Sequence, residues 1–148
     1  MKQLSAGRII NELSKAAQIY FQHEFKKYHV GHAQIRTLFY VAQNEGKTQK
    51  ELAEYLNLDK SSITSQLTIL ERNGYVTRKT SDMDARKQVI GISDKTRDIL
   101  PEMQNVLESW SETILSGFNE EERHQVFSIL LKMRSNAKVK LTEISKHS

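Results

Sequence analysis

Thr48-Gln49-Lys50-Glu51-Leu52-Ala53-Glu54-Tyr55-Leu56-Asn57-Leu58-Asp59-Lys60-Ser61-Ser62-Ile63-Thr64 is the stretch that decides the fold of this chain. Thr48 and Glu51 form a Thr-x-x-Glu capping box, in which the hydroxyl and the carboxylate satisfy each other's free amides at the start of a helix. Leu52, Ala53 and Leu56 put that helix's apolar residues on one side. Asn57 and Leu58 read as a turn, and Asp59 caps a second helix. There Ile63, Leu67 and Leu70 recur at i, i+4 and i+7, while Ser61, Ser62, Thr64, Ser65, Gln66 and Thr68 take the remaining surface. Asn73-Gly74 stops it. Two short helices, a tight turn and small polar side chains on the second are the layout of a helix-turn-helix.

Downstream the period changes. Tyr75 to Thr80 and Lys87 to Ile92 read as strands around the polar tip Ser81-Asp82-Met83-Asp84-Ala85-Arg86, a β-hairpin. Upstream, Ile35, Leu38, Phe39 and Ala42 mark a helix capped near Gly46. Before it, Leu4 to Tyr28 carries Ile9, Leu13, Ala16 or Ala17, and Tyr20 at helical spacing until Gly31 breaks it. After the hairpin, Ile99, Met103, Val106 or Leu107, Trp110 and Ile114 form a long stripe ending near Gly117, with Pro101 kinking it or marking its first turns. Asn119-Glu120-Glu121-Glu122 opens a last helix bearing Val126, Ile129 or Leu130, Met133, Ala137, Leu141 and Ile144. The fold expected is mainly α with a small β-hairpin wing, a winged helix-turn-helix core with long N- and C-terminal helices. The outer helices are long for so small a core, so a second copy is the economical partner for their stripes.

Bulk properties narrow the classes. The 148 residues fit one domain, and 22 Lys and Arg against 18 Asp and Glu give +4, a modest excess that suits a polyanion partner. The absence of cysteine excludes disulfides, thiolate metal sites and cysteine nucleophiles. No stretch reaches the roughly 18 apolar residues of a membrane span. Met1-Lys2-Gln3-Leu4 leads into polar residues rather than a signal-peptide core, so a cytoplasmic protein is expected.

The second helix suits duplex DNA. Small hydroxyls let it lie deep in a major groove, and Gln66 offers a bidentate donor and acceptor to adenine. Lys60 and the helix N-terminus face phosphate. Arg78 and Lys79 on the first strand, with Arg86 and Lys87 before the second, make the wing basic. An arginine there fits the minor groove, with Asp84 two residues away to orient Arg86.

Together Thr48 to Thr64, Leu70 to Arg78 and Asp84-Ala85-Arg86 resemble the MarR family of winged-helix regulators, most specifically from Gln34 to Leu100. The resemblance implies one domain over 1–148, with a DNA-binding lobe at 33–92 and dimerisation helices at 1–30 and 94–148. It implies a homodimer on a pseudo-palindromic operator, acting as a ligand-responsive repressor. By position, Ser61, Ser62, Thr64, Ser65 and Gln66 become base or phosphate contacts, and Thr48 and Gln49 phosphate contacts. Arg86 becomes the minor-groove arginine, with Asp84 as its partner. Two departures stand out: Ala85 replaces a frequent second arginine, and Ser93-Asp94-Lys95-Thr96 replaces the usual Thr-Glu-x-Gly, so the family pattern does not supply the next helix's cap.

The family often takes anionic or phenolic effectors, for which Tyr20, Phe39, Tyr40 and Trp110, with Phe25, are candidates. Aromatics at this spacing also read as core. His23, Glu24, His29 and His32 straddle a helix end with nothing to complete a site, so no metal and no cofactor are expected. Neither a His-Glu-x-x-His pair nor a Gly-x-Ser-x-Gly elbow is present, so no enzyme is expected. The competing readings are a winged-helix protein-interaction module and a zinc or small-molecule sensor.

Overall fold

A computed structural model describes residues 5–147; the expected helical position Leu4 lies outside them. Along the chain run α1 (Ala6–Phe25), a 3-10 turn (Lys26–Tyr28), α2 (His32–Gln43), β1 (Lys47–Thr48), α3 (Gln49–Leu56), α4 (Lys60–Arg72), β2 (Val76–Thr80), β3 (Gln88–Ile92), α5 (Asp94–Ile114) and α6 (Glu120–Lys146). The described residues divide into two compact units, one ending at Trp110 and one beginning at Ser111. The expected fold class, mainly helical with a small wing, is the one found.

In the first unit Phe25, Ile35, Leu38, Val41, Leu52, Ile63, Leu67, Leu70, Ile90 and Met103 are almost fully buried in one cluster. Both helices of the corner start where their caps place them. Thr48 accepts from the Glu51 amide at 3.3 Å and Glu51 returns the bond to the Thr48 amide at 2.7 Å. Asp59 Oδ1 accepts from the Ser62 amide at 2.6 Å. Asn57 ends α3 in the left-handed region, and Gly74 does the same just beyond α4. The wing pairs antiparallel with Arg78 opposite Ile90.

Several expectations need correction. The sheet has a third strand, β1, in the order β1-β3-β2, with Lys47 opposite Ile90 and Thr48 opposite Val89. Two residues are too few to show alternation. Gly46 is not the cap of α2, which is Asn44; Gly46 has φ +90° and its amide donates to the Ile90 carbonyl at 3.0 Å, turning the chain into β1. α1 ends at Phe25, three residues early, and His29 in the left-handed region completes the break. Ile9 and Leu13 are exposed, and the buried residues of α1 are Phe21 and Phe25. Only the C-terminal part of α1 meets the core. In α5 only Thr96 and Met103 are fully enclosed, with Ile114 exposed.

The cap that the family pattern does not supply is Ser93. Its hydroxyl accepts from the Thr96 amide at 3.2 Å and donates to the Gly74 carbonyl at 2.6 Å. Beside it, Arg97 grips Glu45 with two bonds of 2.8 and 3.0 Å, and Glu45 also accepts from the Ile92 amide at 3.2 Å. A Cβ on Gly91 would sit 2.9 Å from that carboxylate, so glycine is what admits it. This clamp fixes the base of the wing against the start of α5.

In the second unit Arg123 holds Glu112 at 2.9 Å, and Asn119 with Glu122 completes the expected capping box. No residue of α6 is buried; Phe127, Leu130, Leu131, Leu141 and Ile144 all face solvent. The periodicity marks an apolar face without saying what covers it.

Candidate nucleic-acid interface

The helix α4 divides as its sequence requires. Ile63, Leu67 and Leu70 are buried, while Ser61, Thr64, Ser65, Thr68 and Arg72 are exposed. Ser61, Ser65, Thr68 and Arg72 follow i, i+4, i+7 and i+11, a stripe along the outward side. Arg72 was missed in the sequence reading, though continuing the same spacing one turn reaches it. Lys60 and Ser62 stand at the N-terminus, where Asp59 takes the Ser62 amide. That amide bond, followed by the Ser62 hydroxyl and the Ser61 amide, holds the Asp59 carboxyl below the usual carboxylate range.

Two of the candidates are turned inward. Thr37 on α2 is 1% exposed and its hydroxyl donates to Gln66 Oε1. This engages the oxygen that a bidentate contact to adenine needs. Nothing in the local pattern marks Thr37, because a threonine amid Ile35, Leu38 and Val41 looks like any helix position.

Arg78 is the second. Its Nε donates to Glu71 Oε2 at 2.9 Å and its Nη1 to Gln49 Oε1 at 3.0 Å. Gln49 Nε2 in turn donates to Thr64 Oγ1 at 2.6 Å, and Thr64 Oγ1 donates to the Lys60 carbonyl at 2.7 Å. The arginine side chain is only 23% exposed, against 90% for Arg86. Arg78 therefore ties β2 to both helices of the corner.

At the wing tip the expected pair forms. Asp84 Oδ1 accepts from the Arg86 amide at 3.0 Å and from its Nε at 3.2 Å. The amide, then the guanidinium, keep the Asp84 carboxyl below its usual range. Ser81 steadies the other side, its hydroxyl accepting from the Met83 amide at 3.2 Å. Between the wing and the start of α3 lies a cleft of about 720 Å³ whose walls include Thr48, Gln49, Arg78, Arg86 and Lys87. Five of the sequence candidates thus meet in one place, beside the N-terminus of α3.

Of the aromatic candidates, Tyr20 and Trp110 are in ring contact with each other, while Tyr40 finds its ring partner in Tyr55. Tyr20 stacks on Trp110 with centroids 5.2 Å apart, Tyr40 stacks on Tyr55 at 3.8 Å, and Phe39 packs against the core. His32 lies parallel to Phe21 at 5.0 Å, and burial followed by Arg36 lowers its pKa. No group of three or more His, Asp or Glu side chains among the described residues is placed to hold a metal ion. No described helix is long and apolar enough to cross a membrane.

A capped two-helix corner, an outward hydroxyl stripe and a basic hairpin define a winged helix-turn-helix protein. Residues 30–87 match the family model described as MarR family. The HTH-type transcriptional regulator BilQ of Clostridium symbiosum is 22% identical over 115 residues, covering 78% of this chain and 80% of that protein. A solved MarR protein from Peptoclostridium difficile superposes with a TM-score of 0.86 at 24% identity, covering 97% of this chain and 95% of that one. A MarR-family transcriptional regulator from Listeria monocytogenes, solved with a 26mer DNA, superposes with a TM-score of 0.85 at 22% identity, covering 97% and 96%. Residues 30–87 thus resemble the MarR family, and over nearly its whole length the chain has the winged helix-turn-helix fold of the solved MarR-family proteins.

Proposed function

We propose that this chain binds duplex DNA sequence-specifically as a cytoplasmic homodimer and represses transcription until an effector releases it. The observation that carries the reading is the polarity of α4: hydroxyls and Arg72 outward, Ile63, Leu67 and Leu70 inward, with Arg86 exposed on the wing. In this reading Ser61, Ser65, Thr68 and Arg72 enter a major groove, Lys60, Ser62, Thr48 and Lys87 meet phosphates, and Arg86, steered by Asp84, reaches the minor groove. Arg78, Gln49 and Gln66 hold the frame, and Thr64 is fixed by it. The DNA bound to the Listeria neighbour supports the choice of partner.

A second copy is the partner proposed for the exposed apolar residues of α1 (Ile9, Ile10, Leu13, Ile19) and of α6 (Phe127, Leu130, Leu131, Leu141). Covering such surface removes apolar area from water at roughly 25 cal/mol per Å². Tyr20 and Trp110 offer stacked faces to a small aromatic or anionic effector.

The test is fluorescence anisotropy on a duplex selected from a random pool, repeated over a series of salt concentrations. Saturable binding whose logarithm falls linearly with log salt is expected, weakened by Ser65→Ala and by Arg86→Ala. Unchanged affinity in both variants at matched salt would contradict the assigned surface.

A further inference from the structure

An arginine side chain only donates and a backbone carbonyl only accepts. These fixed ends orient every bond between Arg78 and Lys60. Arg78 Nη1 must give to Gln49 Oε1 at 3.0 Å, so the amide nitrogen of Gln49 turns to Thr64 Oγ1 at 2.6 Å, and the Thr64 proton goes to the Lys60 carbonyl at 2.7 Å. One turn on, Thr68 repeats the ending: its hydroxyl donates to the Thr64 carbonyl at 2.7 Å. Thr64 is held from the side by Gln49, whereas Thr68 lies on the outward stripe with Ser61 and Ser65. An outward threonine whose proton is committed offers a groove two things, a lone pair and a γ-methyl.

We propose that Thr68 specifies a T·A base pair in each half-site, packing its γ-methyl on the thymine 5-methyl and accepting from adenine N6. The assignment rests on the placement of α4 in the major groove. Of the base pairs, only T·A shows both a methyl and an amino donor there; C·G supplies the amino group without the methyl, and the guanine edge presents acceptors to a side chain with no proton to give. Thr64, engaged on both sides, is a positioning residue.

The experiment uses the full chain and its selected duplex, with each thymine replaced in turn by deoxyuridine, which lacks only the 5-methyl. At one position per half-site this should weaken wild-type binding about fourfold, the worth of one buried methyl. Thr68→Val keeps the methyl and drops the oxygen; it should bind about fivefold more weakly, the worth of the lost hydrogen bond to adenine N6, and keep the sensitivity to deoxyuridine. Thr68→Ser should lose affinity and become indifferent to the missing methyl. Thermal melts of both variants establish that they fold. A Thr68→Ser protein that still senses deoxyuridine, or a Thr68→Val protein that does not, overturns the assignment and leaves the DNA reading standing. Failure of the wild type to bind any duplex overturns both.

Discussion

Arg78 and Arg86 lie eight residues apart on one hairpin and do opposite things. The first is drawn between Glu71 at 2.9 Å and Gln49 at 3.0 Å, and the second stands in solvent with Asp84 at 3.2 Å from its Nε. Arg86→Ala should lower DNA affinity and reduce the slope of log K against log salt by about one per phosphate contact removed. Arg78→Ala should lower the melting temperature and the affinity while leaving that slope unchanged, because no DNA charge contact is lost. Anisotropy over a salt series separates the two.

Gln66 is held by the buried Thr37 hydroxyl, and in the proposed reading it supports α4 rather than contacting a base. Thr37→Val strips its buried partner and should cost about 1–2 kcal/mol in denaturant unfolding. Gln66→Ala should destabilise the protein without altering which base pairs are preferred in a random-pool selection. A changed preference would restore Gln66 to the recognition set.

The caps carry a pH signature. Asp59 and Asp84 are held below the usual carboxylate range by the amides of Ser62 and Arg86 and by the side chains of the same residues. A depressed carboxylate contributes stability that is present at neutral pH and lost as pH falls through its folded pKa. Asp59→Asn keeps a competent cap, since asparagine serves that position as well as aspartate. Its melting temperature should therefore be near wild type at neutral pH and fall less on acidification below about pH 4. Parallel scans across that range check it.

The apolar faces give a prediction about assembly. Wild-type protein should sediment as a dimer. Leu130→Glu or Leu141→Glu, both at exposed α6 positions, should shift it toward monomer and weaken DNA binding. A wild-type monomer at micromolar concentration would count against the second copy.

The corner was legible because its information is local. Thr48, Glu51 and Asp59 announce the helix starts, Asn57 and Asn73-Gly74 the stops, and Ile63, Leu67 and Leu70 the buried side. Asp84 and Arg86 are two residues apart, so their pairing was visible too. What failed was tertiary. Arg78 and Arg86 are alike in composition, and only Glu71 and Gln49, brought close by the fold, distinguish them. Gln66 is recruited by Thr37, twenty-nine residues away. β1 is too short to show a period, and the stripes of α1 and α6 record that a face is apolar without recording its partner.

The central claim is that the outward side of α4 enters a major groove. Its most direct measurement is base-specific protection: methylation interference and hydroxyl-radical footprinting on the selected duplex, with wild type and Ser65→Ala compared. The account predicts interference at major-groove purines in two half-sites about one helical turn apart, lost locally in Ser65→Ala, with minor-groove protection outside them that disappears in Arg86→Ala. Interference indifferent to Ser65→Ala, or binding with no protected half-sites, would contradict it.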